Sequence, residues 1–191
     1  MKKIFILLAS AFLYTAASAQ TTWTVDKAHS NVKFTATHLM VSDVDGTFKN
    51  YDATITASKP DFSDAKFQIV IQTASVTTDQ DQRDNHLKSD AFFDVAKYGT
   101  LTFTSTGITK TSDKHYKLTG NLTLHGVTKP ATFDLWYRGT IVNPMSKADD
   151  AGFQLTGVIK RSDFTFGSSI PSAVVSDEIT IKANGEFGKA K

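Results

Sequence analysis

Roughly eight stretches of this chain alternate apolar and polar residues, and their apolar series contain small residues where a packed interior would need bulk. Val32, Phe34, Ala36 and His38 share one face, and Lys33, Thr35 and Thr37 share the other. The same two-residue period runs through Phe67-Ile69-Ile71, Leu118-Gly120-Leu122-Leu124, Phe153-Leu155-Gly157-Ile159 and Ile179-Ile181-Ala183-Gly185-Phe187. Side chains two apart on an extended backbone point the same way, so this period predicts strands with one face buried. The candidate strands span 31–41, 46–57, 65–76, 100–109, 114–125, 130–142, 151–162 and 177–187, with Trp23 to Val25 as a short addition to an edge. Asp45-Gly46, Lys59-Pro60-Asp61, His125-Gly126 and Asn143-Pro144 are among the turn signals between them.

An eight-stranded antiparallel barrel follows, a width that side chains can fill or that can hold one small ligand. Ala36, Ala53, Ala57, Gly120, Gly157, Ala183 and Gly185 are small and lie on several different strands. Phe34, Phe48, Phe67, Phe103, Phe133 and Phe153 supply bulk between them. Two interiors fit this composition: a cavity, or a solid core in which small residues offset large ones or allow strand bending. The cavity is the favoured reading. Under it, a bulky residue at Ala36 or Gly157 blocks the pocket and leaves the fold intact.

Residues 1–19 read as a secretory signal peptide rather than as part of the domain. Lys2 and Lys3 precede a short apolar run from Ile4 to Leu13, and Ala17-Ser18-Ala19 supplies small residues before Gln20. The run is too short for a stable membrane span. The domain is then 20–191, and bacterial export to the periplasm is the expected destination. Without Lys2 and Lys3 the 21 basic residues fall to 19, against 19 acidic ones. A neutral domain with no basic run argues against nucleic acid as a partner. The chain has no cysteine, which excludes thiol catalysis, iron–sulfur clusters and Cys zinc sites.

One segment breaks the alternation. Thr78 to Lys88 is polar, charged and free of Gly and Pro, with Thr77 or Thr78 as a plausible N-cap. It predicts a short helix across one barrel end, followed by a turn around Asp90 to Val95, with Phe92 and Phe93 anchoring it downward.

No catalytic set stands out: there is no G-x-S-x-G elbow, no Gly-rich phosphate loop and few inward acids. The five histidines match no metal-ligand spacing, so no metal is expected. His38 falls at an inward strand end, where it can donate to a polar group of a bound ligand, or bond a backbone carbonyl as a core histidine. Arg83, Asp84 and His86 form either a polar rim around the polar end of a ligand or the pins that hold the helix to the barrel. Arg161 continues an inward series, so it needs a partner: Asp163, Asp84 or an anionic group of a ligand. His29, His115 and His125 sit near turns and read as structural or solvent-facing. Trp136 falls on the outer, polar face of its strand.

In order along the chain stand His29-Ser30-Asn31-Val32-Lys33-Phe34, His38-Leu39, Gly46-Thr47-Phe48, Ser75-Val76 and Arg83-Asp84-Asn85-His86-Leu87. Phe92-Phe93-Asp94, Leu101-Thr102-Phe103, Leu122-Thr123-Leu124-His125-Gly126-Val127-Thr128-Lys129-Pro130 and Val175-Ser176-Asp177-Glu178-Ile179 complete the set. Taken together they resemble the YceI-like family of exported, lipocalin-like, polyisoprenoid-binding proteins, over nearly the whole chain after the leader. The resemblance implies a long apolar pocket and an isoprenoid ligand, either quinone-type or polyprenyl. It implies no demonstrated reaction and no cofactor beyond the bound lipid.

The inward positions then become the expected ligand contacts. They are Val32, Phe34, Ala36 and His38 on the first strand, Phe48 on the second, Ile69 and Ile71 on the third, and Phe103 on the fourth. Leu122, Leu124, Phe133 and Leu135 follow, then Phe153, Leu155 and Gly157, then Ile179 and Ile181. Arg83, Asp84, His86 and Arg161 are the expected mouth residues. The alternatives are an enzyme using His38, His86 or Arg161 on a hydrophobic substrate, and a solid-core interaction protein. An unpaired strand edge offers a route to a homodimer.

Overall fold

A computed structural model describes residues 20–190. Residues 1–19, read from the sequence as a secretory signal peptide, lie outside the described residues. Strands β1 (Thr21–His38), β2 (Ser42–Phe48), β3 (Tyr51–Ala57), β4 (Lys66–Gln72) and the two-residue β5 (Val76–Thr77) precede helix α1 (Asp81–Lys88). Strands β6 (Thr100–Ser112), β7 (His115–Leu124), β8 (Val127–Val142), β9 (Asp149–Lys160) and β10 (Val175–Lys189) follow it. All pairings are antiparallel, and β1 pairs with β10 along most of its length to close the ring. The outer half of β1 pairs with β2 and its beginning with β3, so β2 and β3 fill a single barrel position. The result is the expected eight-stranded antiparallel barrel with a short helix at one end.

The first strand departs from expectation in an instructive way. Trp23 to Val25 is no separate edge piece but the start of β1, and the strand ends at His38 rather than at 41. Between Asp26, which faces Glu186, and Asn31, which faces Asn184, the register shifts across a bulge. Trp23 and Val25 face the core on odd positions; Val32, Phe34 and Ala36 do so on even ones. A bulge changes parity without ending a strand, so a two-residue period read from sequence splits there.

The helix also begins later than expected. Gln80 is its N-cap and accepts from the Arg83 N–H, while Asp81 and Asp84 occupy the first turn. Asp79 sits at φ 58, which keeps Thr77 and Thr78 out of the helix. Phe92 and Phe93 are buried in the following turns, as their anchoring role requires.

The two barrel ends differ. At the end away from α1, Phe62 in the β3–β4 loop is 2% exposed and packs its ring, tilted or edge-on, with centroids 5.3 Å from Trp23, 5.0 Å from Tyr137 and 5.0 Å from Phe153. The Tyr116 hydroxyl ties this loop down by donating to the Asp61 carbonyl at 2.5 Å. These rings form an aromatic plug. The α1 end is covered instead by the helix and by residues 161–175.

Most inward glycines are not gaps. A Cβ on Gly120 would stand 2.5 Å from the Phe103 ring, one on Gly157 2.6 Å from Phe133, and one on Gly185 2.5 Å from Phe187. Phe103 and Phe133 meet edge to face at 5.2 Å, each seated on a glycine. Here the small residues offset the large ones, the second of the two interiors open from sequence. The expectation that a bulky residue at Gly157 blocks the pocket and spares the fold is therefore corrected. Gly157→Val should displace Phe133 and lower stability by about 1–3 kcal/mol through overpacking. A urea midpoint unchanged from the parent would contradict this.

Candidate functional site

Where no aromatic ring fills the space, the interior is open. Among the described residues, three apolar chambers follow the inner faces of β1 and β10. The upper one, about 250 Å³, is bounded by Phe34, Ala36 and His38 of β1, Val44 of β2, Arg83, His86 and Leu87 of α1, Phe92, and Ile170, Val174 and Val175. The middle one, about 80 Å³, shares Phe34, Ala36, Leu87, Phe92 and Val175 with it and extends inward to Phe48, Leu124, Ile179 and Ile181. The lower one, about 50 Å³, lies nearer the aromatic plug among Val32, Ile69, Leu135, Phe153 and Leu155. Small-ligand pockets start at about 300 Å³, and the upper and middle chambers, which share five lining residues, together reach that scale.

Ala36 is central because it borders both open chambers from a strand whose neighbours are large. Phe34 leaves room beside it by lying over Gly46, whose added Cβ would meet the ring at 2.1 Å. Of the expected contacts, Val32, Phe34, Ala36, His38, Phe48, Ile69, Leu124, Leu135, Phe153, Leu155, Ile179 and Ile181 border one of these chambers. Ile71, Phe103, Leu122, Phe133 and Gly157 stand outside them, packed against other side chains.

The four mouth residues fall into different roles. Arg83 and His86 are exposed and border the upper chamber, as is His38, so these three mark its entrance. His38 is therefore not a core histidine bonded to a carbonyl; its ring makes no hydrogen bond to a described residue. The His86 ring meets Phe92 edge to face at 5.1 Å. Asp84 is buried and does not border the chamber, though its partner Thr78 does: its Oδ1 accepts from the Thr78 N–H at 2.7 Å and the Thr78 hydroxyl at 2.6 Å. Thr78 in turn accepts from Arg83, at its hydroxyl from Nε at 2.6 Å and at its carbonyl from Nη2 at 3.0 Å. Arg83 and Asp84 thus grip the same residue and pin α1 to the segment before it.

Burial pushes the Asp84 carboxyl up, but the hydrogen bonds from the Thr78 and Thr77 side chains and the Thr78 N–H outweigh it and hold the group below its ordinary 3.8. A carboxylate with a lowered folded-state value contributes stability that is complete above its unfolded value and is lost as pH falls through the folded one. Asp84→Ala should cost about 1–3 kcal/mol at neutral pH. The gap between parent and variant should hold down to about pH 5 and narrow as pH falls below about 4, since the neutral carboxyl keeps its acceptor role toward Thr78 but loses the part tied to ionisation. Urea unfolding of both proteins across that range checks this; a gap that is no smaller at about pH 2 than at about pH 7 would contradict it.

Arg161 needs no carboxylate. It is 4% exposed, and it donates from Nε to Ser176 O at 3.2 Å, from Nη1 to Gly167 O at 2.6 Å and Phe166 O at 3.3 Å, and from Nη2 to Ile170 O at 2.6 Å and Val175 O at 3.1 Å. A guanidinium has five N–H groups, so all are engaged. Neither Asp163 nor Asp84 lies within salt-bridge distance among the described residues, which corrects the expected ion pair. No donor remains for a head group either. The segment 166–176 is wrapped around a buried cation, and it brings Ile170, Val174 and Val175 to the upper chamber. Gly167 permits the wrap: its φ is +61, and an added Cβ would meet Phe92 at 2.7 Å.

Sequence reasoning missed this segment, because residues 163–174 carry no two-residue period and form no strand. It also missed the chamber contacts of Leu87 on α1 and Val44 on β2. His125 is partly buried between Tyr98 and Phe166, with its Nδ1 unpartnered among the described residues. For metals, Asp26, His29 and Glu186 bring ligand atoms within 4.8 Å of one another beside the β1 bulge. His29 already bonds Asp26 there at 2.8 Å, and no such grouping borders the chambers among the described residues.

A closed antiparallel barrel with one plugged end, one helix-capped mouth and an apolar interior defines the class of protein. The YceI-like domain matches residues 23–187, and the chain belongs to that family. It is 38% identical over 180 residues to protein YceI of Salmonella newport, covering 93% of each chain. Among solved structures it is similar to the Campylobacter jejuni YCEI protein, with a TM-score of 0.75 and 36% identity over 81% of this chain and 90% of that one. Burkholderia cenocepacia BcnA shares the fold, with a TM-score of 0.76 and 24% identity over 85% of this chain and 98% of that one. So does a polyisoprenoid binding domain from Saccharophagus degradans, with a TM-score of 0.67 and 18% identity over 88% and 98% of the two chains.

Proposed function

We propose that this barrel binds the isoprenoid chain of a quinone-type or polyprenyl lipid and sequesters or carries it in the periplasm. The observation that carries the reading is the pair of neighbouring apolar chambers, sharing walls, behind a mouth whose exposed groups, His38, Arg83 and His86, are polar or basic. An amphiphile with an apolar chain and an acceptor-rich head matches that gradient. Burial of the chain drives association at about 25 cal/mol per Å². At the mouth, His38, His86 and the unpaired N–H groups of Arg83 can donate to a quinone oxygen or a phosphate. A long chain also needs the lower chamber, so side chains between it and the middle chamber must move on loading. One chain supplies every wall, so the reading requires no dimer. No helix among the described residues is long and apolar enough to cross a membrane, and the reading requires none.

Binding is favoured over catalysis by the state of the mouth. A general base is ordinarily oriented by a third group, and neither histidine ring there makes a hydrogen bond to a described residue. The neighbour from Saccharophagus degradans is described as polyisoprenoid-binding, which agrees with the reading. Native mass spectrometry of protein exported by a quinone-producing host, followed by solvent extraction, tests it. A stoichiometric isoprenoid mass is expected, and protein that stays free of ligand after incubation with prenyl quinone and with polyprenyl phosphate would overturn the reading.

A further inference from the structure

We propose that the tip of the β1–β2 hairpin, Leu39-Met40-Val41, inserts into a lipid bilayer and sets the chamber mouth against the membrane. The proposal rests on the lipid-binding reading above. Its first observation is exposure: Leu39, Met40 and Val41 are consecutive and 53%, 75% and 83% exposed. Single exposed apolar residues are ordinary, but three in a row on a projecting turn form a patch.

The second observation is backbone conformation. Leu39 and Met40 hold φ of 49 and 60, a region where turns favour Gly, Asn or Asp. Local folding does not ask for Leu and Met there, and neither belongs to the core cluster.

The third is continuity with the mouth. The Leu39 N–H donates to the Val174 carbonyl at 3.0 Å, which joins the tip to the opposite lip. His38 and Val174 border the upper chamber, and Val174 is itself 36% exposed. The apolar tip therefore meets the apolar lip through Val174, while His38 and Thr37 stand between it and Ala36 along β1.

Charge separates a bilayer from other occupants. From Ala36 to Phe48 there is no Lys or Arg, and Asp43 and Asp45 accept from the Thr37 and Thr35 hydroxyls at 2.9 and 2.6 Å. Such a tip enters hydrocarbon by apolar burial rather than by attraction to anionic lipid. A prenyl lipid must leave one bilayer to reach the chamber, and a tip inserted beside the mouth shortens its passage through water. A stable protein partner would instead need roughly 800 Å² on each side, more than a three-residue protrusion presents.

The far end of the barrel provides a matched control. Met145, in the β8–β9 turn, is 89% exposed, but that end is closed by the Phe62 plug. The test compares the parent, a Met40→Ser, Val41→Ser double variant and Met145→Ser. Each is measured for co-sedimentation with pure phosphatidylcholine vesicles and for the rate at which it draws a prenyl quinone out of them. Equilibrium uptake of the same quinone dispersed from ethanol is measured separately.

The double variant should lose roughly tenfold in vesicle binding and transfer rate, keep its equilibrium uptake, and show little dependence on salt. Met145→Ser should match the parent. Equal vesicle binding by parent and double variant would overturn the proposal, and so would an equal loss in Met145→Ser. A parent that sediments through the tip but takes up neither prenyl quinone nor polyprenyl phosphate from ethanol would support docking and defeat the lipid-binding reading instead.

Discussion

Ala36→Trp is expected to abolish uptake of a prenyl lipid while the barrel stays folded. Ala36 borders both the upper and the middle chamber, so an indole there takes up space in each and blocks passage between mouth and interior. Each 100 Å² of apolar contact denied to the ligand costs about 2.5 kcal/mol, or roughly seventyfold in affinity. Loss of the inner chamber should remove more than that. The side chain grows into open volume rather than into a packed ring, so the stability cost should stay within about 1–3 kcal/mol. Quinone binding by fluorescence, set beside thermal melts of parent and variant, separates the two effects. Full-affinity binding by a folded Ala36→Trp protein would mean that the ligand lies elsewhere.

Arg161→Met is expected to be the most destabilising single change discussed. The methionine keeps the apolar stem but withdraws all five donors, leaving the carbonyls of Phe166, Gly167, Ile170, Val175 and Ser176 without their shared cation. A buried polar group left unsatisfied costs about 1–3 kcal/mol, so the loss should be at least about 3 kcal/mol even if water reaches some of them. Arg161→Lys should be intermediate, because an ammonium keeps the charge but has three donors and no planar fork. The effect should be felt at the mouth before the far end, since the segment released carries Ile170, Val174 and Val175. Amide hydrogen exchange should show residues 166–176 opening while the strands beside the Phe62 plug remain protected. Uniform exchange across the barrel would contradict that local role.

The wall residues show how far pattern reading extends. Alternation located most of the strands and their inward parity, because a sheet with one buried face writes its period directly into the chain; it read β2 and β3 as one strand over 46–57 with a turn at Asp45-Gly46, where the structure pairs both residues with β1 inside β2. It could not carry that parity across the bulge between Asp26 and Asn31. It also could not tell Ala36, which borders open space, from Gly157, which receives the Phe133 ring. Both are small inward residues; the distinction lies in the rotamer of an aromatic on a neighbouring strand. The motif around Arg83, Asp84 and His86 was legible as a polar unit at the helix. Only the fold shows that Asp84 turns inward to Thr78 while His86 faces the mouth.

The sequence by itself determined the barrel, its strand order along the chain, the helix between β4 and β6, and the apolar character of the interior. These follow from local period and composition, which short-range sterics and burial convert into strands and turns. Tertiary structure decided where the interior is hollow, which end is plugged and what satisfies Arg161. Each of these depends on residues distant in sequence meeting at a closed ring, and on side chains and carbonyls that a two-residue period does not describe.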